Sequence, residues 1–154
     1  MPAGSHIVLS IFDRLTDNDP RQTREVPQTE WEQMAALKNS VARDLGNLLN
    51  TRINRDDIPD EFENVRASIA AYGVEDYTRS PVHEDEIRRS IEYAVRTFEP
   101  RLTRVLVEVI TQNSRREASF RITASLKADM GGEQVVFDAA LPKETRRFGV
   151  KEGR

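Results

Sequence analysis

The chain has 154 residues and a net charge of −3, with 38% hydrophobic and 32% charged residues. This length and composition are typical of one folded domain with a modest core, not of a disordered chain. The absence of cysteine excludes disulfides, thiol nucleophiles and thiolate metal sites, and the net charge gives no basis for nucleic-acid binding. No basic leader precedes residues 7–12, which are too short for a signal core or a membrane span, so we expect a soluble cytoplasmic protein.

The first 29 residues combine a short apolar segment with a polar stretch that contains two prolines. Apolar side chains dominate residues 7–15, whereas residues 16–29 are mostly polar. Periodicity does not distinguish a short helix from an extended segment here. We interpret residues 1–29 as an anchor segment and linker, whose apolar part either folds back onto its own core or docks on a partner.

One long helix is predicted next, with Thr29 as its N-cap and its end at Arg52. Apolar residues recur every three or four positions along it, and they are Trp31, Met34, Leu37, Val41, Leu45 and Leu48. Trp31 is interpreted as a core residue. Gly46 inside the helix costs about 1 kcal/mol relative to alanine. We interpret it as a point where another element, such as the second long helix, approaches closely.

Two further helices are predicted before the middle of the chain. The shorter one covers residues 62–72, carries Val65, Ile69 and Tyr72 on one face, and ends at Gly73. The longer one begins at Ser80 as N-cap and ends near Phe98, and its apolar stripe is Ile87, Ile91, Val95 and Phe98.

Pro100 marks the change from helical to strand periodicity. Proline lacks an N–H and disfavours helical angles in the residue before it, so the helix is predicted to end by Glu99 and a strand to begin at Arg101. A carboxylate and a guanidinium then lie beside a rigid corner. From the residues alone, the simplest interpretation is a helix stop with two solvated charges.

Three strands are predicted after the corner, over residues 101–111, 119–127 and 134–141, because apolar residues alternate along them. The loops between them are short enough for hairpins. The predicted fold class is therefore α+β, with N-terminal helices packed on a three-stranded antiparallel meander. This domain would occupy residues 30–142, and a basic tail at 143–154 is expected to fray.

Three motifs in a fixed order carry a family resemblance. Residues 10–15 read SIFDRL, residues 40–52 read SVARDLGNLLNTR, and residues 98–102 read FEPRL ahead of the strands. Together they resemble TssE, the baseplate wedge subunits of bacterial type VI secretion systems, in the phage baseplate wedge family once labelled lysozyme-like. The resemblance covers residues 10–141. One departure is YGVEDY at residues 72–77, where the family usually reads YGLPDF.

The resemblance implies a structural part in the six-fold cytoplasmic baseplate of a contractile injection machine, beneath its sheath. It implies that Glu99, Pro100 and Arg101 lie at contacts that hold the wedge together. The predicted N-terminal partner-binding residues are Ile11, Phe12, Asp13, Arg14 and Leu15. The predicted partners are other wedge subunits and sheath subunits, without nucleic acid and without insertion into a membrane.

The resemblance also implies that the strands match the strand-exchange domain of sheath subunits. The last strand would then start sheath polymerisation by pairing at a free edge, since exposed strand edges recruit other strands. The residues predicted for this pairing are Val135, Val136, Phe137, Asp138 and Ala139.

Two alternative functions follow from the same residues. One is a small regulatory binding protein of this fold, and the other is a peptidoglycan glycosidase, as the old lysozyme-like label suggests. Glycoside hydrolysis needs two carboxylates across a sugar, and no second carboxylate is fixed opposite Glu99. His6 and His83 lack metal-ligand spacing, and no phosphate-binding glycine loop occurs. We therefore predict no catalytic residue, no metal and no cofactor.

Overall fold

The structure is a computed structural model that describes residues 29–54, 57–76, 83–110, 117–127 and 132–153. Its helices and strands in chain order are α1 (Glu30–Asn50), β1 (Arg52–Ile53), α2 (Glu63–Arg66), a 3-10 turn (Ile69–Ala71), β2 (Val74–Glu75), α3 (Glu84–Phe98), β3 (Leu102–Ile110), β4 (Glu117–Leu126), β5 (Gln134–Pro142) and β6 (Gly149–Glu152). The four strands β3-β4-β5-β6 form an antiparallel sheet in chain order, and β1 and β2 form a short parallel pair. Within these ranges no helix is long and apolar enough to cross a membrane.

Helix α1 begins where the sequence predicts, because its first turn forms a capping box. The Thr29 hydroxyl accepts a hydrogen bond from the Glu32 N–H at 3.3 Å, and the Glu32 carboxylate accepts one from the Thr29 N–H at 2.8 Å. The helix ends at Asn50, before the predicted Arg52, since Arg52 already pairs with Val74 in the β1–β2 ladder. The predicted helix is confirmed apart from its last turn.

Two interpretations of α1 are wrong. Trp31 is largely exposed, because it lies in the first turn, and the buried face of the helix begins only at Leu37. A side chain at Gly46 would meet no atom of the described residues within 4 Å, so none of the described elements approaches this glycine closely. The core side chains of α1 are instead Leu37, Val41, Leu45, Leu48 and Leu49.

The helix predicted over residues 62–72 is two separate short turns, α2 and the 3-10 turn. Ser68 separates them: its backbone is extended and its hydroxyl caps the Ala70 N–H at 3.2 Å. The prediction of one continuous helix with Val65, Ile69 and Tyr72 on one face is therefore wrong, and beyond this break both Val65 and Ile69 are exposed. Tyr72 is half-buried and lies edge-on to Phe98, with ring centroids 5.4 Å apart.

Gly73 is required where the chain turns from the 3-10 turn into β2. Its φ is +132°, and a side chain here would lie 2.6 Å from the Thr51 carbonyl oxygen. That oxygen also accepts the Val74 N–H at 2.9 Å. The glycine therefore allows β2 to pair closely with the end of α1.

Helix α3 leads into the sheet through the predicted corner. The predicted start at Ser80 lies outside the described residues, and the described helix begins at Glu84 with His83 as N-cap. Its end at Phe98 is confirmed, and the Glu99 N–H still bonds to the Val95 carbonyl at 3.0 Å. The predicted stripe packs on the sheet, with Ile87, Ile91 and Val95 buried.

The sheet has four strands where three were predicted. The register aligns Val107 with Ile122 and Ile122 with Phe137, and this row faces the helices in one hydrophobic core. Residues 149–152, predicted to fray within the basic tail, form β6 and pair with residues 137–140 of β5. The fold is therefore α+β as predicted, with one more strand and an additional two-stranded pair.

The extra strand changes which strands lie at the sheet edges. The Gly153 N–H also bonds to the Val136 carbonyl at 2.8 Å, so β5 is covered from residue 136 to residue 140. The prediction that Val135, Val136, Phe137, Asp138 and Ala139 form a free edge is therefore wrong for all of them except Val135, which lies before the covered residues. Within the described ranges, the outer strands of this sheet are β3 and β6.

Candidate functional site

The residues around the corner form a buried ion-pair cluster centred on Arg101. Only 4% of Glu99 and 9% of Arg101 is exposed. The guanidinium donates to both oxygens of the Glu99 carboxylate, from Nε at 2.7 Å and from Nη2 at 2.6 Å. This two-pronged pairing fixes both side chains in one geometry. The interpretation of two solvated charges is therefore wrong.

The same guanidinium reaches across to helix α1. Arg101 Nη2 donates to Asp44 Oδ2 at 2.7 Å, and Nη1 donates to the Ser40 hydroxyl at 3.0 Å. Ser40 and Asp44 are four residues apart, so they lie on one face of the helix. We call the group of Ser40, Asp44, Glu99 and Arg101 the arginine brace. It joins the middle of α1 to the point where α3 ends and β3 begins.

The charges of the brace stabilise one another. Burial alone would lower the pKa of Arg101, but the hydrogen bonds and negative charges of Glu99 and Asp44 raise that pKa above its ordinary value. The guanidinium therefore stays charged, as arginine does in proteins. Tyr72 lies near the same carboxylates, and its pKa is raised first by burial and then by the charges of Asp44 and Glu99.

A second cluster, formed by Asn50 and Arg52, anchors the C-terminal strand. The Asn50 side chain accepts the Phe148 N–H at 2.8 Å and donates to the Phe148 carbonyl at 3.0 Å. It donates as well to the Gly46 carbonyl at 2.8 Å, inside its own helix. Because one amide satisfies both backbone groups of Phe148, it fixes the chain directly before β6. We call this contact the asparagine clamp.

Arg52 and Phe148 complete the clamp. Arg52 donates to the Leu49 carbonyl at the end of α1 and to the Arg146 carbonyl, both at 3.0 Å, and its guanidinium lies 5.6 Å from the centre of the Phe148 ring. The Phe148 ring is buried and lies 6.2 Å from the Phe120 ring in β4. Residues in the segment predicted to be a basic tail are thus held by the buried Phe148 ring together with Asn50 and Arg52.

The structure brings together only some of the residues predicted for a site. Glu99 and Arg101 pair with each other, and Arg101 also bonds to α1. Pro100 between them is exposed. The partner contact predicted for the triplet stays a prediction. The N-terminal set from Ile11 to Leu15 lies outside the described residues.

Sequence reasoning missed the residues that complete both clusters. Ser40 and Asp44 lie in the SVARDL motif, and Asn50 and Arg52 lie in the LLNTR motif. The available signal was the polarity of Ser40, Asp44 and Asn50 on a helix that also carries a stripe of core residues. A polar group that becomes buried on such a helix needs a hydrogen-bond partner. The partners are 57 to 98 residues away, so local patterns do not identify them.

The geometry of Glu99 supports a role in packing. Both of its carboxylate oxygens are within 2.7 Å of Arg101, and its side chain is 5% exposed. An acid catalyst must contact the bond that it protonates. Among the described residues, no group of three or more acidic or histidine side chains is placed to hold a metal ion.

The motifs that form the two clusters lie within a known family model. The model of the baseplate wedge protein gp25 matches residues 35–130, from the second turn of α1 through β4. The chain belongs to the baseplate wedge protein gp25 family. Searches of curated proteins and of solved structures give no match.

The arginine brace lies in the part of the chain that matches the gp25 family. All four brace residues lie inside the matched range, whereas Phe148 and β6 lie after it. The family supports a structural role in a baseplate, in contact with other baseplate components. The TssE proteins predicted from the motifs are members of this family.

Proposed function

We propose that this chain is the TssE-type wedge subunit of a bacterial type VI secretion baseplate in the cytoplasm. The observation that carries the proposal is the arginine brace, in which Arg101 of the FEPRL motif binds Ser40 and Asp44 of the SVARDL motif. The brace gives these separate motifs one mechanical purpose, a rigid junction between helix and sheet. A rigid junction suits a part that must hold its shape in a large assembly.

The brace favours a structural part over the two alternatives. A glycosidase would need Glu99 at a sugar, but its carboxylate is engaged by Arg101 inside the chain. A regulatory binding protein would need the same stable fold, and the family match favours the baseplate. The partner contacts predicted for residues 99–101 and for residues 11–15 belong to this proposal.

We further propose that the chain templates the sheath by strand pairing at β6. Backbone groups alternate in an antiparallel pair, and the Gly153–Val136 bond sets the phase. Gly149, Lys151 and Gly153 therefore bond to β5, and the backbone groups of Val150 and Glu152 point away from it. No described strand pairs with these outward groups, so we propose them as the edge that a partner strand uses.

The opposite edge is less suited to pairing. At the start of β3 a bulge between Thr103 and Leu106 places Arg104 at a φ of +52°. The Arg96 side chain donates to the Val105 carbonyl at 2.8 Å and so occupies an acceptor next to the bulge. Bulges and side-chain cover are common ways of blocking an edge. We therefore assign the proposed sheath pairing to β6, and not to β5 or β3.

Replacing Val150 with proline should stop sheath assembly while the domain still folds. Proline removes an N–H that points outward, so no bond to β5 is lost. Val150 also packs partly on the core, and Val150→Ala is the control for that packing, since it keeps the N–H. Both variants should melt cooperatively. A fluorescent sheath subunit should form sheaths in cells with Val150→Ala and none in cells with Val150→Pro.

Normal sheaths with Val150→Pro would contradict pairing at β6 and leave the structural role intact. Absence of sheaths with both variants would assign the effect to packing. If cells without the chain still form sheaths, the proposed function itself is wrong.

A further inference from the structure

The segment between α1 and α3 presents three large apolar side chains to solvent. Phe62, Val65 and Ile69 are 50%, 40% and 82% exposed. They lie within eight residues of one another, before, in and after the turn α2. We call them the apolar ridge. Single exposed apolar residues are common, but three in one short segment are typical of an interaction site.

The ridge is held in place by contacts on its inner side. Arg66 donates to the Ile58 carbonyl from Nη2 at 2.7 Å and from Nε at 3.1 Å, and it pairs with Asp60 at 2.6 Å. The Ser68 hydroxyl donates to the Val65 carbonyl at 2.8 Å. Just after the ridge, Ala71 and Val74 are buried. The backbone that carries the outward apolar side chains is therefore held in place before any partner binds, which lowers the entropy cost of binding.

The rim of the ridge is acidic. Asp57, Asp60, Glu61 and Glu63 are all exposed, and no cationic residue lies among positions 57–65. Arg66, the first cation, is already paired with Asp60. Asp57, Glu61 and Glu63 therefore give the chain beside the apolar side chains a negative charge that Arg66 does not offset, and such a surface repels acidic surfaces and attracts basic ones. The charge pattern thus specifies the chemistry of what covers the ridge.

We propose that the apolar ridge is the docking site for a protein surface with an apolar centre and a rim of lysine or arginine, carried by another baseplate wedge subunit. This assignment of a partner rests on the proposed function. The exposed, pre-positioned ridge supplies the apolar contact area, and the acidic rim supplies orientation and selectivity. The ridge is separate from the arginine brace, which is buried, and from the strand edge at β6.

The test uses the full chain and the other wedge subunits, purified together from cells that lack this chain. Binding is measured by calorimetry with the wild-type chain and with a Phe62→Ser, Ile69→Ser variant. Leu106→Ser is the matched control, since Leu106 is also 50% exposed but lies on β3. We expect at least about tenfold weaker binding for the ridge variant and less than about twofold change for the control.

A charge variant, Glu61→Lys with Glu63→Lys, tests the rim. Wild-type binding should weaken as salt is raised, because charges on the two surfaces attract. The charge variant should bind more weakly at low salt and lose that salt dependence. All the substituted side chains are exposed in the structure. The ridge variant, the charge variant and Leu106→Ser should therefore all keep native melting curves.

If the ridge variant binds with wild-type affinity, the apolar ridge is not the docking site, and the proposed function is unaffected. Equal losses in the ridge variant and in Leu106→Ser would lead to the same conclusion. If the wild-type chain does not bind the wedge subunits at all, the ridge assignment and the proposed function both fail.

Discussion

Replacing Arg101 with alanine should lower the free energy of unfolding by roughly 3 to 5 kcal/mol, the usual cost of removing one partner from a buried ion pair. The change leaves the Glu99 carboxylate buried without its donor and removes the link to Ser40 and Asp44. A loss of this size is a large fraction of the stability of a domain this small. Urea unfolding followed by circular dichroism measures it.

The matched control is Arg121→Ala. Arg121 also pairs with an aspartate, Asp138, at 2.9 Å, but its side chain is 42% exposed on the sheet. Exposed pairs are worth little, so this variant should lose at most about 1 kcal/mol. A double variant, Glu99→Leu with Arg101→Met, should recover part of the loss, because it removes the unpaired charge along with the pair.

The Arg101 experiment also separates the brace from a partner contact. If the triplet acts through the fold, Arg101→Ala should lose stability, and assembly should fail only to the extent that the domain is unfolded. Native stability combined with loss of baseplate assembly would contradict the brace and assign Arg101 to a partner contact. Native stability with normal secretion would make the triplet a plain helix stop.

Replacing Asn50 with alanine should detach β6 and lower the free energy of unfolding by about 2 kcal/mol. The variant leaves the part-buried Phe148 N–H and carbonyl without their partner. A fully buried unpaired group costs about 1 to 3 kcal/mol, so the two part-buried groups together should cost about 2 kcal/mol. Hydrogen exchange gives the sharper measurement: the Lys151 N–H, which bonds to β5, should lose its protection, while the β4 amides keep theirs.

Asn47→Ala is the control for the clamp. Asn47 is exposed on the same helix, one turn earlier, and alanine favours helix, so this variant should be neutral or slightly more stable. Unchanged protection at Lys151 in Asn50→Ala would show that β6 stays in place without the asparagine clamp.

Elements with local signals could be predicted from the sequence. The capping box at Thr29 and Glu32 lies within four residues, and Pro100 fixes the corner by its own ring. Alternating apolar residues predicted β3, β4 and β5 because each has a full face to bury. In each case the information lies in the element itself.

The rest depends on contacts between distant residues. Strand β6 has only four residues, and the buried anchor next to it, Phe148, lies directly before the strand. The position of Phe148 depends on Asn50, which is 98 residues earlier in the chain than Phe148. The brace likewise joins residues 57 and 61 positions apart. Periodicity also assumes an unbroken helix, so it failed for Val65 and Ile69, where Ser68 divides the segment. The same divided segment carries the exposed side chains of the apolar ridge.

Electron cryomicroscopy of contractile particles from cells that make this chain tests its structural place in the baseplate. We expect six-fold plates in which each wedge contains density for the chain, beneath the first sheath ring. The plates should lack that density, or fail to form, when the gene is deleted. Complete plates with attached sheaths and no density for the chain would contradict the claim.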